Sequence, residues 1–140
     1  MEGKTHLSGH CLCGKVGVAT RSGTLHVGAC HCGMCRKWGG GPLLAVDGGQ
    51  DVSLTGEEYI TRYYSSEWAE RAFCKECGTH LFYKLKANGQ HILSAGLLDQ
   101  EPELVMDHQI FIDKKPQYYT FSNETEVMTE AEVFAKFAPN

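Results

Sequence analysis

The chain has 140 residues and a mass of 15.5 kDa, with 42% hydrophobic and 21% charged residues. That is the size and make-up of one folded domain spanning 1–140, globular and not disordered in composition. Thirteen Lys and Arg against 17 Asp and Glu leave a net charge of −4 and a pI near 5.9, a poor match to nucleic acid or to an anionic membrane surface. No apolar run approaches the roughly 20 residues of a spanning helix. Met1–Gly9 carries Glu2, Lys4, His6 and Ser8 instead of a basic segment followed by an apolar one. A cytoplasmic protein without a secretory leader is therefore expected.

Short stretches rich in β-branched and aromatic residues recur between glycine and asparagine punctuation. They run Lys15 to Thr20, Thr24 to Ala29, Leu43 to Val46, Glu58 to Tyr64, Ala69 to Phe73, His80 to Lys86, His91 to Ala95 and Leu104 to Ile112. This spacing predicts an all-β, mainly antiparallel fold. Asn88-Gly89 favours positive φ, so the strands on either side should form a hairpin. Helix is expected only as a short C-terminal piece: Thr129 and Glu132 have capping-box spacing, and Val133 with Phe137 would share an apolar stripe.

Seven cysteines stand at 11, 13, 30, 32, 35, 74 and 77. An odd number in a reducing compartment argues against disulfides, and such tight grouping argues against ordinary core cysteines. Metal ligation remains. Cys74-x-x-Cys77-Gly78 has the form of a zinc knuckle, and Cys11-x-Cys13-Gly14 is its natural complement, so the two pairs would close a four-thiolate site. Cys30, Cys32 and Cys35 lie on one loop and would give three thiolates to a second zinc.

The partition of seven sulfurs over two tetrahedral ions is thus four plus three, and the open fourth position is the mark of a catalytic zinc. Two alternatives stay open at this level. A histidine (His31, or one of His10, His80, His91 and His108) would close the second site structurally, or Cys30 or Cys35 would join the 74/77 knuckle instead. Arg36 and Lys37 would supply positive charge beside the triad, and Arg71 and Lys75 beside the knuckle. Gly39-Gly40-Gly41 would either present N–H groups to a carboxylate or form a plain turn.

An open, thiolate-rich zinc favours sulfur chemistry over hydrolysis, since three thiolates make a weaker Lewis acid than three histidines. An incoming thiol would be held as thiolate and add to a small carbonyl compound, or the reverse. Two non-lyase readings compete: a zinc-stabilised interaction module without catalysis, for which no basic patch is visible, and a redox sensor whose triad releases zinc on oxidation.

Ser8-Gly9-His10-Cys11-Leu12-Cys13-Gly14, Cys30-His31-Cys32-Gly33-Met34-Cys35-Arg36-Lys37, Tyr64-Ser65-Ser66, Arg71-x-Phe73-Cys74-x-x-Cys77-Gly78-Thr79, Gly96-x-Leu98-Asp99 and His108-x-Ile110-Phe111 resemble the glutathione-dependent formaldehyde-activating enzymes, which are grouped with centromere protein V. The resemblance implies a β-tent of small sheets around zinc and a carbon–sulfur lyase that forms or cleaves S-hydroxymethylglutathione, with glutathione and a small aldehyde as partners. It implies a structural zinc on Cys11, Cys13, Cys74 and Cys77, and a catalytic one on Cys30, Cys32 and Cys35. Tyr118-Tyr119 departs from the tryptophan that many relatives have there.

Overall fold

The computed structural model describes residues 5–137. Eleven strands account for most of the regular structure: β1 Thr5–His10, β2 Gly17–Gly23, β3 His26–Cys30, β4 Leu43–Gly49, β5 Val52–Thr55, β6 Ile60–Tyr63, β7 Ala69–Cys74, β8 His80–Leu85, β9 His91–Ser94, β10 Val105–Ile110 and β11 Glu126–Met128. Two short α-helices, α1 Gly33–Gly39 and α2 Glu130–Phe137, and four single 3-10 turns complete it among the described residues.

A three-stranded sheet runs β1-β2-β5, and a larger sheet runs β11-β10-β3-β4-β9-β8-β7-β6. Leu7 and Val18 of the first sheet join Val27, Val46, Ala72, Leu81, Phe82 and Leu93 of the second in one buried cluster. Leu81 and Phe82 are neighbours on β8 and both fully buried, so the large sheet is covered on both faces there. Each such side chain contributes about 1.5–3 kcal/mol of hydrophobic stabilisation. Between the sheets, the Thr20 hydroxyl donates to the Gly48 carbonyl at 2.6 Å.

The mainly antiparallel β class is as the sequence implies, and several local details match it. The β8–β9 hairpin closes through Gly89, at φ 76°, and the Asn88 Oδ1 accepts from the Gln90 N–H at 2.9 Å. The capping box is reciprocal: the Glu132 N–H donates to Thr129 Oγ1 at 3.2 Å and the Thr129 N–H to Glu132 Oε1 at 2.8 Å. Val133 is buried, while the side chain of Phe137 lies outside the described residues.

The departures are equally specific. β10 runs parallel to both β3 and β11, and the second sheet has eight strands where small sheets were expected. Helix α1 was not expected at all. Cys32 is its N-cap, with the sulfur accepting the Cys35 N–H at 3.3 Å, and Gly40 at φ 87° ends it by donating to the Arg36 carbonyl at 2.8 Å. The Gly39–Gly41 run is thus a helix C-cap, and the Gly40 N–H is spent on it.

Candidate metal centres

The seven sulfurs fall into the two groups that their spacing implies: Cys11, Cys13, Cys74 and Cys77, and separately Cys30, Cys32 and Cys35, each set lying within 4.8 Å of one another. None is disulfide-bonded. A tetrahedral zinc about 2.3 Å from each thiolate sets its sulfurs about 3.8 Å apart. The Cys11–Cys13 and Cys13–Cys74 separations are 3.6 and 3.8 Å, so the four-cysteine group has the span zinc needs.

Two similar turns build that group. Cys11 and Cys13 follow β1, where the Gly14 N–H donates to the Cys11 carbonyl at 2.9 Å. Cys74 ends β7, where the Gly78 N–H donates to the Cys74 carbonyl at 2.8 Å. Both glycines have positive φ, 82° and 78°, which lets each turn reverse tightly enough to aim two sulfurs inward. The Val16 N–H donates to Cys11 Sγ at 3.3 Å.

Thr79, which closes the Cys74–Cys77 motif in the sequence but had no role assigned to it, ties the two turns together. Its hydroxyl accepts the Leu12 N–H at 3.0 Å and stands 3.2 Å from Cys77 Sγ. That hydroxyl, with the Thr79 backbone N–H, pulls the Cys77 thiol down to about 5. Thr79→Val removes the hydroxyl and keeps the shape. We expect zinc at this group to be held about 10- to 100-fold more weakly, read by competition with a chromophoric chelator, with the fold retained.

The triad is built differently. Cys30 ends β3, Cys32 caps α1, and Cys35 is in its first turn. Cys30 and Cys35 are buried and Cys32 is partly exposed, so the group opens to one side. The Cys30 and Cys35 thiols, aided by Arg71, hold Cys32 down at about 2 despite its burial. The same contact with Cys32 pushes Cys30 far above the usual thiol range. Three thiolates this close repel one another, and a cation at their centre lets all three carry charge at once. The donor set therefore fits a soft dication such as zinc.

No fourth histidine, cysteine or carboxylate donor joins the triad among the described residues. His31 lies between two of its members in sequence but turns away from them. Its Nε2 meets Gln109 Oε1 at 2.8 Å, and its Nδ1 meets the Tyr119 hydroxyl at 2.7 Å. Gln109 Nε2 donates onward to Thr125 Oγ1 at 2.8 Å, which leaves its oxygen to accept from His31 Nε2–H, and His31 Nδ1 accepts from Tyr119. Burial keeps this imidazole neutral by lowering its pKa. Neither ring nitrogen is left for a metal.

The other four candidate histidines do not join the triad either. His80 stacks on Trp38 with ring centroids 4.0 Å apart, His91 Nδ1 donates to the Gly89 carbonyl, His108 pairs with Asp107, and the His10 ring lies against Gly17.

The flanking cations are distributed otherwise than their sequence positions imply. Arg36 Nε donates to the His31 carbonyl at 2.9 Å, and Lys37 is exposed. Lys75 lies over the Tyr59 ring. Arg71 belongs to the triad and not to the knuckle: its Nη2 reaches Cys35 Sγ at 3.6 Å. Residues 71 and 74 fall on opposite faces of an extended strand, so β7 sends Arg71 one way and Cys74 the other. Ser66 is a turn residue, its Oγ accepting the Ala69 N–H at 3.2 Å. Asp99 is another, its N–H donating to the Ser8 carbonyl at 2.8 Å.

Comparison with known proteins agrees with this picture. The profile of the family described as glutathione-dependent formaldehyde-activating enzyme matches residues 6–114. A Schizosaccharomyces pombe protein named as an uncharacterized lyase is 35% identical over 127 residues, 89% of this chain and 92% of its own length. A Rhodobacter sphaeroides protein of known crystal structure shares the fold at a TM-score of 0.55, with 24% identity over 66% of this chain and 87% of that one.

Proposed function

We propose, from the premise that the chain belongs to the family of glutathione-dependent formaldehyde-activating enzymes, that it is a carbon–sulfur lyase which joins a thiol to a small aldehyde or parts them. The supporting observation is the triad itself: three converging sulfurs, one of them partly exposed, with no fourth side-chain donor among the described residues. The yeast relative's name as a lyase points the same way. Zinc held by these sulfurs would supply a soft coordination position that favours the thiolate form of an incoming thiol at neutral pH.

The chain's own residues set the conditions for that chemistry. Cys30 and Cys35 are buried and Cys32 is partly exposed, so a substrate would reach the sulfurs from the Cys32 side. In the joining direction the substrate's sulfur adds to the carbonyl carbon, the carbonyl electron pair moves to oxygen, and the proton lost by sulfur ends on that oxygen. Nothing is oxidised or reduced, and no further reactant is consumed. Glutathione is the thiol this reading takes, with formaldehyde as the aldehyde. Lys37 and the outer nitrogens of Arg36 would meet the thiol's carboxylates. The cytoplasm, where thiols stay reduced, is the compartment that suits it.

Zinc content and thiol binding in the native protein and in Cys32→Ser test the reading. We expect two zincs to fall to about one, thiol binding to be lost, and the fold to survive, since Cys32 lies outside the four-cysteine group. Collapse of the fold in Cys32→Ser, or a zinc-loaded native protein that takes up no thiol, would refute it.

A further inference from the structure

Arg71 is 6% exposed, yet no carboxylate pairs with it among the described residues. Its neighbour Glu70 is bonded to Arg62 at 2.9 Å instead. The guanidinium lies over the Trp38 ring at 5.0 Å and the Tyr83 ring at 5.4 Å, its Nη2 points at Cys35 Sγ, and its Nε and Nη1 are buried with no hydrogen-bond partner among the described residues. A cation taken out of water in this way is costly unless a negative charge stands near it. Two aromatic faces recover part of the cost, and the sulfurs of the triad are the negative groups within reach.

From this geometry we infer that Arg71 is the built-in counter-ion of the three-cysteine centre and makes it select an anionic thiolate, over a neutral donor, as fourth ligand. The inference rests on the lyase reading above and assigns a residue to its specificity. Three thiolates around a dication carry a net charge of minus one, and a fourth raises this to minus two. Such a centre repels the thiolate it is meant to take. A single fixed positive charge beside Cys35 removes one unit of that repulsion for an anionic ligand and changes little for a neutral one. Arg71 reaches Cys35 and acts through that sulfur, so it is a positioning residue.

Cobalt(II)-loaded protein titrated with 2-mercaptoethanol and, separately, with imidazole tests this through the absorption bands of the metal, without measuring turnover. In Arg71→Met we expect thiol affinity to fall about 10- to 100-fold while imidazole affinity stays within about twofold, and Arg71→Lys to recover part of the thiol affinity. Unchanged thiol affinity in Arg71→Met, or an equal fall for both ligands, overturns the role of Arg71 and leaves the lyase reading standing. Native cobalt protein that binds no thiol refutes the lyase reading and this role together. If Arg71→Met does not fold alone, Cys32→Ser with and without Arg71→Met decides. With the metal–thiolate charge gone, the guanidinium is uncompensated, so the double variant should melt higher than Cys32→Ser; a lower melting temperature overturns the inference.

Discussion

Cys74→Ser should abolish the cooperative native fold, at a cost above about 4 kcal/mol. Cys74 is fully buried at the end of β7, and its sulfur stands 3.8 Å from that of Cys13. The four-cysteine group joins the start of the chain, after β1, to its middle, after β7, and the two turns it clamps are small and glycine-bearing. Loss of one thiolate leaves three sulfurs whose charges no longer have a fully coordinated cation to hold them together. A strong chelator should act in the same way on the unmodified protein. Urea unfolding followed by circular dichroism, with zinc released on unfolding counted in parallel, checks both. A Cys74→Ser protein that melts like the native one would show that this group carries no structural metal.

Gly56→Ala should cost about 3 kcal/mol or more, from a change of one methyl group. Gly56 has φ 71°, and a Cβ placed there would sit 1.8 Å from the Lys15 carbonyl oxygen. The left-handed conformation alone costs an L-residue about 1–2 kcal/mol, and the clash is with backbone, which cannot rotate aside. The Lys15–Val16 segment would have to move, and Val16 N–H is bonded to Cys11 Sγ, so the strain reaches the four-cysteine group. Gly78→Ala is the control. It has φ 78° but nothing within 4 Å of the added carbon, so it should lose only the conformational part, about 1–2 kcal/mol. Urea midpoints of the two variants, at constant zinc, separate these contributions; equal losses would show that the close approach at Gly56 relaxes freely.

The four-plus-three partition of the sulfurs was legible because ligand spacing is a local property: two residues between thiols, then glycine, is a turn whether or not its partner is known. The Asn88-Gly89 hairpin and the Thr129–Glu132 capping box were legible for the same reason. Helix α1 was not. Gly33 and Gly39 are poor helix formers, and the helix exists because a cysteine sulfur caps its start and a left-handed glycine closes its end. The fate of His31 was equally hidden, since the groups that occupy its two nitrogens, on Gln109 and Tyr119, lie 78 and 88 residues away. Arg71 sits three residues from Cys74, and proximity in sequence suggested the knuckle; strand alternation carries it to the triad. The parallel pairing of β10 with β3, which brings Gln109 to His31, is a long-range choice that no local pattern encodes.

One strand thus serves as a common beam for two stations. Its far end belongs to the four-cysteine group through Cys74, and at its middle it carries Arg71, whose positive charge faces the triad. Extended backbone held between two neighbours transmits displacement along its length with little give. Disturbing the four-cysteine group should therefore detune the triad: partial loss of zinc there should blunt the choice of incoming sulfur before the molecule as a whole comes apart.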